Sequence, residues 1–388
     1  MTLKDSILIA GGGLGGLTTA LALARHGIAS RVLEGAANFG AIGFGIQFGP
    51  NVFHVLDKIG VSGAVICAAD EPLAVVMLDA FDGKEVARVP TGPSFRARFT
   101  YPYIIIHRID LHNVLLHACR RSERITLVSD AMVTGFEDRG DRVTIKTEDG
   151  RTFEGPALIA ADGIRSRVRS QLLGVHEPIY RGYTIWRGLA RLKGAVPSGS
   201  NSETWGRGKR FGVLNTGGDR FTWYATANTD SGHIDSSEGR QGELLRMFAG
   251  WHEPVERLIG ATDEGSILKN GAYDLAPLKR WGRGRIMLLG DAAHPCTPNL
   301  GLGGCMALED ALVLAKSFCR EASPESALRR YESLRRGRTR HVQQRSLLIG
   351  HIGQWENRLV AGGRQMVTSM LPAKIFERNL RRVYSYAA

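Results

Sequence analysis

Three short apolar runs, residues 6–10, 158–161 and 285–289, each lead into a glycine or an acid at a turn, and together they predict an α/β fold built on an open parallel sheet. The first run starts a strand, turn, helix and strand unit. Residues 6–10 read as a buried parallel strand, 14–25 as a helix rich in small and apolar residues stopped by Gly27, and 29–33 as a second strand ending on Glu34. Between strand and helix stands Gly11-Gly12-Gly13-Leu14-Gly15-Gly16. In such a unit Gly11 permits the tight turn, Gly13 lets the backbone approach a pyrophosphate, and Gly16 lets the helix pack close to the strand. The helix N-terminus then offers free N–H groups and a partial positive charge. A carboxylate such as Glu34, about 20 residues on, accepts hydrogen bonds from both hydroxyls of an adenosine ribose and repels a 2′-phosphate, which favours FAD or NAD over NADP as the tightly held ligand.

The second run enters Asp162-Gly163 and then a predicted helix, so Asp162 also reads as a helix cap. The third enters Gly290-Asp291-Ala292-Ala293-His294-Pro295, followed by a loop with Pro298, Gly301, Gly303 and Gly304 and a helix predicted over 306–318. Ligands of open α/β sheets bind outside the carboxyl ends of the strands, so one extended ligand can touch all three turns.

Composition bounds the rest. The chain has 388 residues, enough for two or three packed subdomains, and its 43% hydrophobic and 23% charged content is that of an ordinary soluble protein. No apolar run reaches the ~18 residues of a membrane span, and the run before the first glycines is too short for a signal segment, so a cytoplasmic protein without integral membrane association is expected. Five cysteines form no C-x-x-C pair and no zinc spacing, which predicts reduced thiols and no metal. The net charge of +12 is concentrated in Arg329, Arg330, Arg335, Arg336, Arg338, Arg340 and Arg345 at helical spacing. The plain reading is a solvated basic helix face; the sharper one is attraction of anionic small molecules. No nucleic-acid motif accompanies the charge, and no nucleic acid is expected. Hydrolases and kinases are disfavoured by the absence of G-x-S-x-G, H-E-x-x-H and G-x-x-x-x-G-K-[ST].

Residues 76–101 and 181–270 have a different texture, with period-2 alternation and aromatics that predict an antiparallel or mixed sheet walling a pocket. Tyr183, Arg187, Trp205, Phe211 and Tyr224 are its candidate lining residues, and alternation puts Trp223 and Tyr224 on opposite faces, so only one of that pair belongs to the pocket.

The Gly-rich turn with Glu34, the D-G-x-x-S-x-x-R element of Asp162, Gly163, Ser166 and Arg169, and Gly290 to His294 resemble, in order and spacing, the single-component FAD-dependent aromatic monooxygenases of the p-hydroxybenzoate hydroxylase fold. The resemblance spans nearly the whole chain. Residues 43–51 and 106–112 look most like salicylate and 3-hydroxybenzoate hydroxylases, and residues 298–307 also look like zeaxanthin epoxidase. The resemblance implies a Rossmann-like FAD-binding domain (1–75, 102–180 and 271–330), an inserted substrate domain (76–101 and 181–270) and a C-terminal helical segment (331–388). It implies that Gly11, Gly13, Leu14 and Gly16 hold the FAD pyrophosphate and Glu34 the adenosine ribose. Gly45 and Gln47 would also contact the cofactor, Arg108 would lie along the phosphate–ribityl region, Asp162 near the pyrophosphate, Asp291 at a ribityl hydroxyl, and Gly301, Gly303 and Gly304 at the flavin pyrimidine edge. Tyr183, Arg187 and Tyr224 are the candidate catalytic residues, with Trp205, Phe211 and Pro298 in the substrate pocket. His294 belongs to the family motif and reads as structural.

The implied reaction is hydroxylation of a small aromatic or heteroaromatic compound by NADH or NADPH and dioxygen through a C4a-hydroperoxyflavin, in a monomer or homodimer. Alternatives are epoxidation of an alkene, or a flavin oxidase or reductase that makes no oxygenated product. Leu302 stands where many relatives have Gln. That substitution removes a polar group from the loop and leaves room for a substrate activated by its own ring nitrogen or amine.

Overall fold

The computed structural model describes residues 5–40, 43–80, 82–193, 200–371 and 383–386. A six-stranded sheet carries the strands in the order Gly282–Arg283, Ile286–Leu288, Leu158–Ala160, Ile7–Ala10, Ser30–Leu33 and Ile125–Val128. All pairs are parallel except the first, a hairpin. Ile7–Ala10 is buried at every position, as a central strand covered on both faces must be. The Leu14–Arg25 helix covers it and ends before Gly27, whose φ of +77° suits only glycine without strain. The three strands whose ends carry the glycine and acid turns are immediate neighbours, so the turns open side by side.

A mixed seven-stranded sheet runs Leu268–Asp274, Ile179–Arg191, Arg220–Asn228, Lys209–Asn215, Ser200–Trp205, Ala74–Asp79 and Glu85–Pro90. Its one parallel pair joins Ser200–Trp205 to Ala74–Asp79. One face carries Trp186, Phe211 and Trp223 into a core with Phe248, Leu244 and Leu258, contributed by the segment with helices Gly239–Met247 and Val255–Gly260. The other face meets the two-stranded ribbon of Gly45–Phe48 and Ile104–His107 and the short turn Pro298–Leu300.

The helix expected over 306–318 spans Gly303–Arg320. It packs against Pro324–Gly353, the long helix that carries the arginine-rich stretch. The reading of that stretch as a solvated face needs correction. Arg335 is fully buried, with Nε 2.6 Å from Asp310 Oδ1 and Nη1 2.7 Å from Glu309 Oε2. Arg338 Nε also lies 2.7 Å from Glu309 Oε2, and Asn51 Nδ2 donates to Glu309 Oε1 at 2.7 Å. Only part of the stretch, including Arg336 and Arg340, is exposed. Two of its charges therefore clamp helices together rather than gather anions. No described helix is long and apolar enough to cross a membrane.

Candidate active site

The Gly-rich turn has the steric properties that a pyrophosphate cradle needs. Gly11 has φ +102°, and a Cβ there would overlap the carbonyl oxygen of Ala161 on the neighbouring strand. A Cβ on Gly16 would overlap the carbonyl oxygen of Gly11. On Gly13 a Cβ would meet no protein atom within 4 Å, so the open side of the turn lies there, at the cap of the Leu14–Arg25 helix. Glu34 sits beside it, its carboxylate accepting from Gly12 N–H at 2.7 Å and from Ala36 N–H at 3.0 Å. The Leu14 side chain is buried in the core, so only its backbone can serve a ligand. His112, buried with Nε2 2.9 Å from Gly12 O, braces the turn from behind.

The second turn is tied to the third. Asp162 accepts from Val168 N–H at 3.3 Å, and Ser166 caps the same helix by accepting from Arg169 N–H at 2.9 Å. The other Asp162 oxygen is buried without a partner, and burial pushes its carboxyl up. Arg169, fully buried, donates from Nη1 to Ala292 O at 3.0 Å and so fixes the Asp291 loop against the Asp162 strand. His294 has a structural place, with Nε2 2.6 Å from Asp310 Oδ2, while Asp310 also accepts from Gly290 N–H at 3.1 Å.

Asp291 makes no side-chain hydrogen bond or ion pair among the described residues. Solvent reaches it, yet protein crowds it closely enough to push its carboxyl up, opposed by the charges of His294 and Arg108. A carboxylate both wetted and crowded lines a cleft. Arg108 is exposed, with its stem packed where Gly43 lacks a Cβ.

Beyond these turns lies a cavity of about 250 Å³ between the flat face of the seven-stranded sheet and the loop at Pro298 to Gly301. Gly45, Gln47, Arg187, Tyr224, Pro298 and Gly301 line it, as do Glu203, Arg210 and Asn299, which sequence reasoning missed. Gly301, at φ +64°, lies so close to Gln47 that a Cβ would come within 2.5 Å of Nε2. Gly303 and Gly304 begin the following helix with ordinary or open space above them. Leu302 is buried in the main core, so its side chain does not leave a gap in the loop's open face.

Register explains which aromatics reach the cavity. Tyr224 pairs directly with Arg187 on one side and Gly212 on the other, and directly paired residues share a face. Gly212 leaves room for the Tyr224 ring. Phe211, one residue away, points to the opposite face and stacks on Trp223 with centroids 5.5 Å apart, so its expected place in the pocket is corrected. Trp205 is on the cavity face but at its far end, where it lines a separate cleft with Arg364. Trp223 is core, and Tyr224 is the member of that pair at the cavity.

Tyr183 lies behind the lining, sharing hydrogen bonds with Asn299, whose Nδ2 donates to its hydroxyl at 3.1 Å. Burial pushes the Tyr183 phenol up and Tyr224 well up, so both hydroxyls stay protonated at neutral pH and serve as hydrogen-bonding groups rather than bases. The two arginines differ. Arg210 is spent: its guanidinium donates to Gln354 Oε1 at 3.0 Å, Glu203 Oε1 at 3.2 Å and Asn299 Oδ1 at 2.6 Å. Arg187 has no carboxylate partner among the described residues, only Asn270 Oδ1 at 3.5 Å and the Phe44 ring at 5.9 Å. Burial, and then the charge of Arg108, lower its pKa. An anion at the cavity would relieve both.

The chain matches the FAD binding domain family over residues 4–190 and 259–346. It is 40% identical to the aurachin C monooxygenase/isomerase of Stigmatella aurantiaca over 97% of each chain. It is 35% identical to 3-hydroxybenzoate 6-hydroxylase 1 of Aquipseudomonas alcaligenes over 88% of this chain and 87% of that one. The crystal structure of Klebsiella pneumoniae HpxO with FAD and uric acid superposes with a TM-score of 0.89 at 28% identity, covering 97% of this chain and 95% of the other. The open cradle at Gly13, the adjacent Glu34 and the Asp291 carboxylate, which has no partner among the described residues, fit that cofactor. The chain belongs to the FAD binding domain family, with FAD as its cofactor, and within it to the FAD-dependent monooxygenases whose members include aromatic hydroxylases.

Proposed function

We propose that this protein uses NADH or NADPH and dioxygen to hydroxylate a small planar aromatic or heteroaromatic compound. The observation that carries the reading is the cavity between the Gly301 loop and the sheet, walled by Tyr224, Ile185 and Leu214 and supplied with a cation, Arg187, that no carboxylate among the described residues neutralises. When bound, the reduced flavin activates dioxygen for transfer to the ring.

The chain's own residues do the rest. Gly11, Gly13 and Gly16 would shape the turn that takes the pyrophosphate, Glu34 would accept from the ribose, and the exposed Asp291 carboxylate would accept from ligand hydroxyls, with Asp162 behind the turn. Arg187 would attract and orient an anionic or electron-rich group, and the Tyr224 ring would exclude water from the reacting carbon. Glu203, held by Arg210, offers an acceptor to a ring N–H or hydroxyl. That polar edge suits a heteroaromatic lactam as well as a phenol, and uric acid, bound in the HpxO structure, is a ring of that kind. The purified protein should be yellow, should oxidise NAD(P)H faster with its aromatic ligand, and should place one atom of ¹⁸O₂ in the product. Equal peroxide release with and without every ring tested, and no labelled product, would turn the reading into an oxidase.

Two neighbouring aromatics should separate shielding from folding. Tyr224→Ala opens the cavity wall and should raise the peroxide fraction while FAD stays bound. Phe211→Ala instead removes a fully buried ring stacked on Trp223, so it should cost about 3–5 kcal/mol of stability without changing coupling in the protein that remains folded. Peroxide yield and thermal unfolding measured on both variants check this; swapped effects would mean that the cavity wall has been misassigned.

A further inference from the structure

Behind the end of the cavity wall lies a second cleft, of about 400 Å³, between the strand end at Trp205 to Arg207 and the helix Arg358–Met370. Three arginines line it, Arg207, Arg358 and Arg364, against one carboxylate, Asp79, which already accepts from Gln365 Nε2. Arg207 and Arg358 are exposed and make no ion pair among the described residues. Arg364 is 7% exposed and donates only to uncharged groups: Nη1 to Ile352 O at 3.0 Å and Gly353 O at 3.2 Å, Nη2 to Gly206 O at 2.8 Å and Gln365 Oε1 at 3.4 Å. Its Nε is buried without an acceptor. Trp205, also 7% exposed, has an indole N–H that is buried and unpartnered. Two unsatisfied buried donors behind one cationic cleft are costly, and an anion held in front of them would offset part of that cost through its charge. Burial and the nearby Arg210 charge push Arg364 down to about 10, against the opposing pull of Asp79 and Glu203.

We propose that this cleft is an oxyanion site, binding a phosphate or carboxylate group through the exposed Arg207 and Arg358 guanidinium groups, with the buried Arg364 charge behind them. Planar guanidinium groups match the oxygen geometry of either group. The site is coupled to the cavity by contact. The Trp205 ring centre lies 5.0 Å from the Arg364 guanidinium carbon and 5.9 Å from that of Arg210, which in turn holds Glu203 and Asn299 at the cavity.

The test uses the FAD-loaded enzyme in low-salt buffer free of sulfate and phosphate, titrated calorimetrically with inorganic pyrophosphate and, separately, with succinate, a dicarboxylate without a ring. Saturable binding of one equivalent is expected, weakened at least tenfold in the Arg207→Ala/Arg358→Ala double variant, with FAD content and melting temperature unchanged in that variant. Preference for pyrophosphate identifies a phosphorylated ligand such as the dinucleotide donor; preference for succinate identifies a carboxylate metabolite. Absence of saturable binding by both probes, or binding unaltered in the double variant, overturns the proposal. None of these readouts depends on the substrate, so failure here leaves the proposed reaction standing.

Discussion

Gly16→Ala is expected to abolish FAD loading and to damage the fold of the first turn, whereas Gly13→Ala should lose FAD while folding normally. The difference follows from what each new methyl would meet. At position 16 it overlaps the carbonyl oxygen of Gly11, a backbone atom that cannot rotate away. Gly11 is itself held, its N–H donating to Leu33 O at 2.8 Å and its own Cα facing the Ala161 carbonyl too closely for a side chain. The helix must therefore lift off the strand, which removes its N-terminus from the place where an anion would be bound. At position 13, φ is −74° and no protein atom lies within 4 Å of the new Cβ, so alanine costs the apoprotein nothing. The methyl would stand only in the path of the proposed pyrophosphate. FAD titration of the apoproteins, with their melting curves, separates the two cases. Gly13→Ala should keep the wild-type apoprotein melting temperature and weaken FAD on the order of 100-fold, about 2.7 kcal/mol. Undiminished FAD affinity in that variant would move the pyrophosphate away from this turn.

That contrast also shows which parts of the molecule were legible in the sequence. The turn from Gly11 to Gly16 is a local object, its sterics set within a strand, a helix and the next strand, so residue type and spacing were enough. The neighbouring positions of the Asp162 and Asp291 turns followed from the rule that ligands gather at strand ends. The cavity wall was a different problem. Alternation correctly separated Trp223 from Tyr224 but could not say which faces the cavity, because that depends on pairing with Arg187 and Gly212 in other strands. Phe211 was misplaced by one residue of register, the smallest slip a sheet allows and one that reverses its face. Glu203 and Arg210 carried a legible signal, opposite charges on the two facing strands of one hairpin close to its turn. Gln354, 144 residues from Arg210 in the chain, carried none, since only the path of the long helix brings it there. Basic residues repeated at helical spacing likewise looked alike in sequence. Arg335 differs from its neighbours only because Glu309 and Asp310 lie opposite it on another helix.

Arg335→Met should be among the most destabilising single substitutions in the protein, for reasons that lie outside the active site. Arg335, Glu309 and Asp310 are all fully buried, and removing the cation leaves two carboxylates in a dry interior with Arg338 bonded to only one of them. Breaking such a pair from one side costs about 3–5 kcal/mol, even where the intact pair contributes little. For a chain of this length that loss corresponds to a melting temperature lower by roughly 4–6 °C. The pH dependence gives the stronger check. Burial alone would raise the Asp310 carboxyl, but the charges and hydrogen bonds of His294 and Arg335 override it and hold it far below its ordinary value of 3.8. A carboxyl depressed in the folded state contributes stability that is fully present above the unfolded value and is lost as pH falls toward the folded one. Wild type should therefore be most favoured over Arg335→Met above about pH 4, and the gap between their unfolding free energies should narrow as acid protonates the carboxylates in both. Arg335→Lys, which keeps the charge but not the two-pronged geometry, should recover part of the loss. The measurement is denaturant unfolding of the three proteins across pH 3 to 7 at matched FAD saturation. A gap between wild type and Arg335→Met that stayed constant or widened toward acid would mean that Asp310 does not depend on Arg335 for its charge, and the cluster would then count as packing alone.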